Sequence, residues 1–349
     1  MVLLKAEEGR ISKGDSALSV EVELFDALDA AEADSAGALG REAQPSLYDR
    51  IGWYRLVAEH CALGGKPIVA RARHMQRRAW MFLAVDDSKA SAWASWYSLR
   101  WRPIGEPELF PHILAAFRDG LVAELELAPI EDPAPLVAAC RESGWIAFIE
   151  PAKANWRADT EELDFEAYWA QRPSKLRNSA TRKARAAGLD IRIHETFDAA
   201  AWADYESVYR ASWKPEEGSP AFLRALAEQE GAAGTLRLGV AHKDGVALAA
   251  QLWLVEGGEA TIHKLAYRDD AKALSPGTVL SMAMFRHAID RDRVAAIDYG
   301  TGDEPYKADW MDERRTLWRV RAYNRRTPTG LARAARRGAS SLVRRLVSR

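Results

Sequence analysis

The side chains best suited to acid–base chemistry lie in one segment between residues 263 and 310. A histidine, a carboxylate or a tyrosine can move a proton to or from a reacting group when its position and pKa allow. The segment supplies such groups at four places, namely His263, Asp298, Asp303 and Tyr306. The chain has no G-x-S-x-G motif and no marked Cys/His nucleophile pair, so these residues favour transfer without a covalent intermediate.

The turn Ser275-Pro276-Gly277-Thr278 follows a predicted strand and opens an apolar helix. A helix start leaves backbone N–H groups unpaired, and these groups with the helix dipole suit a phosphate or diphosphate. Ser275 is expected to cap the helix, Pro276 to fit its first turn, and Gly277 to let a ligand approach. Plain capping explains the same residues, so both interpretations stay open. The absence of GxxxxGK[ST] and GxGxxG motifs argues against NTPase and dinucleotide sites.

The pattern of apolar residues predicts an α/β fold with a mixed sheet. In the second half it predicts strands at 189–195, 235–242, 246–255, 259–267, 294–299 and 316–324, and helices at 198–211, 220–230, 276–290 and 304–312. Asp244-Gly245 predicts a hairpin turn. The first half has a similar order, with strands at 18–25, 67–74, 79–86, 91–99, 121–127 and 145–150, and helices at 26–39, 46–63, 106–118 and 133–142. The repeated order indicates a duplicated domain.

Charge is spread unevenly along the chain and helps to divide it. Residues 1–44 hold ten acidic against four basic residues, whereas twelve arginines and no acidic residue follow Glu313. We predict an N-terminal extension at 1–17, a first domain at 18–156, a basic linker helix at 157–188, a second domain at 189–326 and a basic amphipathic tail at 327–349. The linker helix is either a solvated face or a cationic wall of a substrate groove. Gly338 is expected to weaken any single long helix in the tail.

Composition excludes several classes of protein. The chain has 349 residues, 48% apolar and 28% charged, with a net charge of −1, so it is globular and nucleic acid is not its expected partner. No apolar run of about 18 residues predicts a membrane span. The start lacks a secretory signal, and the two distant cysteines are expected to be buried thiols in a reducing cytoplasm. The histidines lack a spaced partner set, so we predict no metal.

Three segments together resemble a known family. They are His263-Lys264-Leu265-Ala266-Tyr267, Ser275-Pro276-Gly277-Thr278-Val279-Leu280, and the run from Asp298-Tyr299-Gly300 through Glu304-Pro305-Tyr306-Lys307 to Trp310. They resemble the BioF2-like or CelD-like acetyltransferases, which are relatives of the FemAB transferases and carry two tandem GNAT-like domains. The resemblance covers roughly residues 18–325. It implies tandem GNAT-like domains in this chain, with the donor site in the second.

The resemblance implies an acyl-CoA donor, or an acyl carrier protein or aminoacyl-tRNA in some relatives. The donor diphosphate would bind around Ser275, Pro276, Gly277 and Thr278, and the pantetheine arm would follow the strand that holds Lys264 and Leu265. No other cofactor is expected. The matching turn of the first half has Glu106 and Glu108, which would repel a phosphate, so the first domain is expected to be a degenerate copy that shapes the acceptor groove.

Each candidate residue has a functional and a structural interpretation. His263, Asp298 and Asp303 could act as bases, and Tyr306 could protonate the thiolate. Lys214 and Lys307 could contact substrate, and Trp213 and Trp310 could wall the groove. The structural alternatives are a structural histidine in its strand for His263, turn formation for Asp303 and a solvated charge for Lys307. For Tyr306, Trp213 and Trp310 the alternative is packing in the core.

The sequence therefore predicts an acyl-CoA-dependent N-acyltransferase. Its acceptor would be an amine of a cell-envelope precursor: a lipid, including a sphingoid long-chain amine, or an amino-sugar or glycan. The basic tail could hold the enzyme peripherally at the inner membrane from the cytoplasm. Two alternatives remain: a FemAB-like transferase that uses aminoacyl-tRNA, and a non-catalytic GNAT-like accessory protein of polysaccharide biosynthesis.

Overall fold

The computed structural model describes residues 19–347, with side chains as far as Ala339, so the predicted 1–17 extension lies outside it. The described residues form two compact units. Unit 1 comprises the residues through Ala152 together with those from Thr316 onward, and unit 2 comprises Lys153–Arg315. In the part of the chain that is described, no helix combines the length and the apolar character needed to cross a membrane.

The first half of the chain builds most of unit 1. Its strands are β1 (Glu21–Phe25), β2 (Lys66–His74), β3 (Arg77–Asp86), β4 (Lys89–Ala92), β5 (Ile104–Gly105) and β6 (Glu124–Ile130). Its helices are α1 (Leu28–Ser35), α2 (Ile51–His60), α3 (Phe110–Asp119) and α4 (Ala134–Glu142). The two cysteines are free thiols; Cys140 is buried and Cys61 is half-buried.

The rest of the chain, from Trp145 onward, builds unit 2 and completes unit 1. Its strands are β7 (Trp145–Asp159), β8 (Asp190–His194), β9 (Leu236–Lys243), β10 (Val246–Glu256), β11 (Glu259–Tyr267), β12 (Ala296–Thr301) and β13 (Glu313–Asn324). Its helices are α5 (Phe165–Ala170), α6 (Ser174–Ala187), α7 (Ala199–Arg210), α8 (Pro220–Ala232), α9 (Pro276–Arg286) and α10 (Pro328–Val347).

Each unit is built on one mixed sheet. In unit 1 the strand order is β1-β2-β3-β4-β6-β13, and in unit 2 it is β7-β12-β11-β10-β9-β8. In both sheets three antiparallel pairs of strands are followed by one parallel pair, β4 with β6 in unit 1 and β11 with β12 in unit 2. One more antiparallel pair completes each order, β6 with β13 and β12 with β7. This common order confirms the expected mixed α/β fold.

The core of unit 2 lies under α5, α6 and α9 and is rich in aromatic rings. Phe285 packs against Tyr168, Trp253 and Trp310, with ring centroids 5.4, 5.2 and 4.8 Å away. Leu176 and Ala180 attach the apolar side of α6 to the same core. This packing fixes α9, and with it the turn that precedes it.

The structure departs from the predicted boundaries in several places. Strand β4 ends at Ala92, because Trp93 is buried and Ser95 and Ser98 form a side-chain turn, so the predicted strand at 91–99 is wrong beyond that point. Strand β7 continues to Asp159 because its end pairs with β12. Helix α6 lies within unit 2, whereas β13 pairs with β6 and belongs to unit 1. Helix α10 runs unbroken through Gly338, since one glycine costs only about 1 kcal/mol.

Candidate functional site

Strands β11 and β12 run side by side only near their starts. Their described register contains three pairs, the last of which is Thr261 with Asp298. On the other edge of β11, Ile262 pairs with Trp253 and Lys264 pairs with Leu252, so His263 is the extra residue of a β-bulge. A bulge bends a strand and increases its twist. The bulge follows directly on the last β11–β12 pair, where the described pairing of the two strands ends.

The start of α9 presents backbone amides near the end of β11. Ser275 has a left-handed backbone (φ 52°) and makes no side-chain cap, which corrects the expectation that it would cap the helix. Pro276 occupies the first helical position as expected. The Val279 amide donates to the Ser275 carbonyl, whereas in the described backbone the Gly277 and Thr278 amides donate to no carbonyl. These two amides are suited to an anion.

An aromatic pair covers the side of Gly277. A Cβ atom at this position would lie 2.9 Å from Tyr267 Cδ1, and the Tyr267 ring lies 4.2 Å from that of Trp213. The space on the Cβ side of Gly277 is therefore filled by a ring, and a ligand would have to reach the Gly277 and Thr278 amides from another side. Trp213 is half exposed, so its outer face is open to a substrate.

The predicted bases are poor proton acceptors in this structure. His263 is buried, and burial together with the charge of Lys264 lowers its pKa to about 3. Asp298 Oδ1 accepts hydrogen bonds of 2.7 Å from Asn155 Nδ2 and from the Gly300 amide, so this carboxylate holds the end of β12. Asp303 forms two hydrogen bonds with Arg314, which lowers its pKa.

Tyr306 and Lys307 lie beside Tyr299 after the end of β12. Lys307 is buried; its Nζ donates to the Thr301 carbonyl at 2.9 Å and forms an ion pair with Glu304 at 3.1 Å. Tyr306 is 43% exposed, and burial of its hydroxyl and the nearby Glu304 raise its pKa to about 12. Lys307 therefore holds the loop, while Tyr306 stays protonated and within reach of solvent.

Other predicted substrate and donor residues take structural positions. Trp310 is buried between Trp169 and Phe285, so it packs in the core and does not wall a groove. Leu265 packs partly against the same core. Lys264 forms an ion pair of 3.0 Å with Glu217, which neutralises much of its charge toward a donor phosphate.

Lys214 combines properties that the sequence did not reveal. Burial and the charges of Lys264 and Lys307 lower its pKa to about 8, against the opposing effect of Glu217 and Glu304. Its Nζ lies 6.0 Å from the centre of the Trp213 ring. A lysine that is partly neutral near pH 8 can accept a proton, so Lys214 is more than the substrate contact predicted from sequence.

A basic cleft of about 600 Å³ lies on α6. Its lining combines three arginines with polar side chains, namely Arg177, Arg182, Arg185, Asn178 and Thr181. Within the described chain none of these arginines forms an ion pair with a carboxylate, whereas Arg172 just before the helix pairs with Asp312. The cationic surface that was one interpretation of the linker helix therefore exists.

Comparisons with known proteins agree with this architecture. Residues 171–308 match the family model of the GNAT acetyltransferase domain. No curated protein sequence matches the chain. Solved structures share its fold at low sequence identity, so the similarity concerns the fold alone.

FemX is similar over 85% of this chain and 96% of its own length, with 8% identity and a TM-score of 0.56. A conserved protein of unknown function from Bacteroides thetaiotaomicron VPI-5482 covers 87% of this chain and 100% of its own, at 12% identity and a TM-score of 0.54. The structure titled as the C-terminal domain of a lysylphosphatidylglycerol synthetase from Agrobacterium fabrum covers 74% of this chain and 84% of its own, at 16% identity and a TM-score of 0.52. The chain thus has a GNAT-type acyltransferase fold, with a GNAT acetyltransferase domain match in its second half.

Proposed function

We propose that this chain is an N-acyltransferase that takes an acyl group from a coenzyme A thioester and transfers it to an amine. The observation that carries the proposal is the end of the β11–β12 pairing at Thr261 and Asp298, with the bulge at His263 on the other edge of β11. A pantetheine arm contains amides and can add to a strand edge as another strand would. The Gly277 and Thr278 amides would then receive the diphosphate.

The proposed reaction needs few groups. The amine nitrogen attacks the thioester carbonyl, a C–N bond forms, and the C–S bond breaks. A backbone amide at the bulged part of β11 would stabilise the oxyanion. Tyr306 stays protonated at neutral pH and would give a proton to the departing thiolate. Acyl-CoA is thus a co-substrate, and an acyl carrier protein with the same pantetheine arm could replace it.

We further propose an acceptor from the cell envelope. The name of one similar structure, lysylphosphatidylglycerol synthetase, describes the formation of an acylated lipid, which supports a lipid acceptor for this chain. A long-chain sphingoid amine and an amino-sugar are the two forms of acceptor to compare. Product mass spectrometry of lipid and glycan extracts from a deletion strain tests this part.

The donor site can be tested with one pair of variants. Thr278→Glu adds a negative charge at the start of α9, where an acidic residue suits the helix dipole and should not impair folding. Thr278→Gln has the same size without the charge. Calorimetry with acetyl-CoA and longer acyl-CoAs should show binding to the wild type and Thr278→Gln, and at least tenfold weaker binding to Thr278→Glu. Equal binding by both variants, or no binding of any donor by the wild type, would contradict the donor assignment.

The α6 cleft supports a second candidate, a FemAB-like transferase that uses aminoacyl-tRNA. Arg177, Arg182 and Arg185 could each neutralise a backbone phosphate of RNA. This candidate predicts tRNA binding that weakens steeply with salt and is lost in an Arg182→Glu, Arg185→Glu variant. Binding of tRNA together with no binding of any acyl-CoA would favour it over the first candidate.

Peripheral membrane contact through the basic tail is a separate proposal. Arg333 and Arg337 of α10 form ion pairs with Glu124 and Glu150 of unit 1. These two arginines are therefore partly neutralised within the protein, and fewer cations than the sequence suggested remain for an anionic surface. Sedimentation with anionic and with neutral phospholipid vesicles measures the contact; equal sedimentation with both would reject it.

A further inference from the structure

Helices α7 and α8 and the loop between them enclose a cavity of about 460 Å³ in unit 2. Trp202, Tyr205, Glu206 and Tyr209 stand at positions i, i+3, i+4 and i+7, so they form one face of α7 toward this cavity. The last residue of α7, the loop and α8 complete the lining with Arg210, Lys214, Pro215, Glu216, Glu217, Pro220 and Leu223. The Ser219 side chain accepts from the Phe222 amide and fixes the start of α8.

The lining combines aromatic rings with carboxylates. Glu206 accepts a 3.0 Å hydrogen bond from Trp202 Nε1, which holds this carboxylate against the rings. Glu216 and Glu217 add two further carboxylates from the loop. Aromatic faces and carboxylates both favour a cation, and the rings with Leu223 offer apolar contact to its body. The three carboxylates outnumber the two cationic lining residues, Arg210 and Lys214, so the cavity is suited to an organic ammonium ion with an apolar or aromatic body.

The cavity borders the strand along which the donor would lie. Glu217 lines the cavity and forms the ion pair with Lys264, which directly follows the bulge residue His263 on β11. Lys264 also lies 5.9 Å from the ring of Tyr209, another lining residue. A ligand in the cavity thus lies close to the Lys264 side chain, in the part of β11 that follows its last pair with β12.

We propose that this cavity holds the acceptor amine and that Lys214 takes the proton that the amine must lose before it attacks. This inference rests on the proposed N-acyltransferase function and names its acceptor class and its base. The ammonium gives one proton to the neutral Lys214 amine, and the resulting neutral amine attacks the thioester. When the intermediate breaks down, the second proton goes to the sulfur by way of Tyr306.

The surroundings of Lys214 are consistent with a proton acceptor. The charged groups that influence it are Lys264 and Lys307, which lower its pKa, and Glu217 and Glu304, which raise it. Glu206, Arg210 and Glu216 share the cavity with it. Its pKa of about 8 leaves a usable neutral fraction near neutral pH, whereas His263, Asp298 and Asp303 are deactivated by burial or by their hydrogen bonds.

Two acceptors of similar shape separate a base from a structural lysine. 2-Phenylethylamine is an ammonium ion at neutral pH and must be deprotonated, whereas aniline is already neutral. With acetyl-CoA, Lys214→Met and Lys214→Arg should transfer to 2-phenylethylamine at least 100-fold more slowly than the wild type and should lose the rise in rate through about pH 8. Their rates with aniline should fall much less, because this amine needs no deprotonation before it attacks. An equal loss with both amines, or an unchanged pH profile, overturns the base assignment.

Binding of the amine tests the cavity independently of any transfer. Calorimetry should show 2-phenylethylamine binding to the wild type and at least tenfold weaker binding to Glu206→Gln. Glu228→Gln, which removes an exposed carboxylate on α8 that pairs with Arg224, is the matched control and should bind as the wild type does. No amine binding by the wild type, or equal losses in both variants, overturns the cavity assignment. Amine binding with no acyl-CoA binding instead contradicts the N-acyltransferase function and leaves the cavity in place.

Discussion

The ring of Tyr267 lies against Gly277, so close that a Cβ atom at position 277 would stand 2.9 Å from Tyr267 Cδ1. This contact joins the last residue of β11 to the first turn of α9. It sets the distance between the strand edge and the helix amides, the two features on which the donor site depends. The glycine is needed for this close approach of ring and helix.

Gly277→Ala should therefore destabilise the protein, although alanine is the better helix former. We expect the free energy of unfolding to fall by about 1–3 kcal/mol, because the new methyl group overpacks the ring. Urea unfolding measures the change. In a Tyr267→Ala background the same substitution should be neutral or stabilising by up to about 1 kcal/mol. A loss of the same size in both backgrounds would mean that the ring contact is not the cause.

Asp298 and Asn155 should behave as a structural pair. Asp298→Ala and Asn155→Ala should each lower the free energy of unfolding by about 2–4 kcal/mol, because each leaves buried polar partners unsatisfied. The double variant should lose clearly less than the sum of the two, with a coupling of at least about 1 kcal/mol in urea unfolding. Additive losses in the free energy of unfolding would contradict the structural pair. A large loss of activity in an Asp298→Asn variant of unchanged stability would instead support Asp298 as a catalytic base.

His263 should make stability depend on pH below neutrality. Its pKa is about 3 in the folded chain and near 6.5 when exposed, so the unfolded state binds one more proton between these values. Stability from this group is present above pH 6.5 and is lost as the pH falls, by up to about 1.4 kcal/mol per pH unit. Between pH 6 and 4 the His263→Gln variant should show a shallower slope than the wild type. Parallel curves for the two proteins would contradict the burial of a neutral His263.

Arg333 should help to anchor α10 through Glu124. Arg333→Glu places two carboxylates together at this contact and should lower the thermal midpoint of unit 1 at low salt, with partial recovery at high salt. Arg325→Glu, which changes an exposed arginine nearby in the sequence, should have a much smaller effect. Differential scanning calorimetry at two salt concentrations makes the comparison. Equal effects of the two substitutions would show that net charge, and no specific pair, is responsible.

Local chemistry explains which elements could be predicted from the sequence. Asp244 and Gly245 both have positive φ, as the hairpin signal required, and Pro276 begins α9 as predicted. The three segments that carried the family resemblance begin at His263 and lie, apart from Trp310, within the GNAT domain match at 171–308, and they supported the fold class. These features depend on neighbours within a few residues, which the sequence displays directly.

Features that depend on distant contacts were harder to predict. The sequence suggested that Trp310 lines a substrate groove, but Trp169 and Phe285 bury it in the core. Lys214 owes its low pKa to burial and to Lys264 and Lys307, which lie far away in sequence. Ser275 would be an ordinary cap, but its left-handed backbone turns the hydroxyl away from that use. Only the folded arrangement supplies these environments.

The return of β13 to the sheet of unit 1 has a consequence for biosynthesis. Unit 2 is a continuous segment, so all of its residues are available once Arg315 has left the ribosome. Unit 1 is discontinuous, and its sheet cannot be finished until β13 has been translated. Unit 2 can therefore fold before unit 1 is complete, although most of unit 1 is synthesised first. The sheet of unit 1 keeps one open edge until β13 has been synthesised.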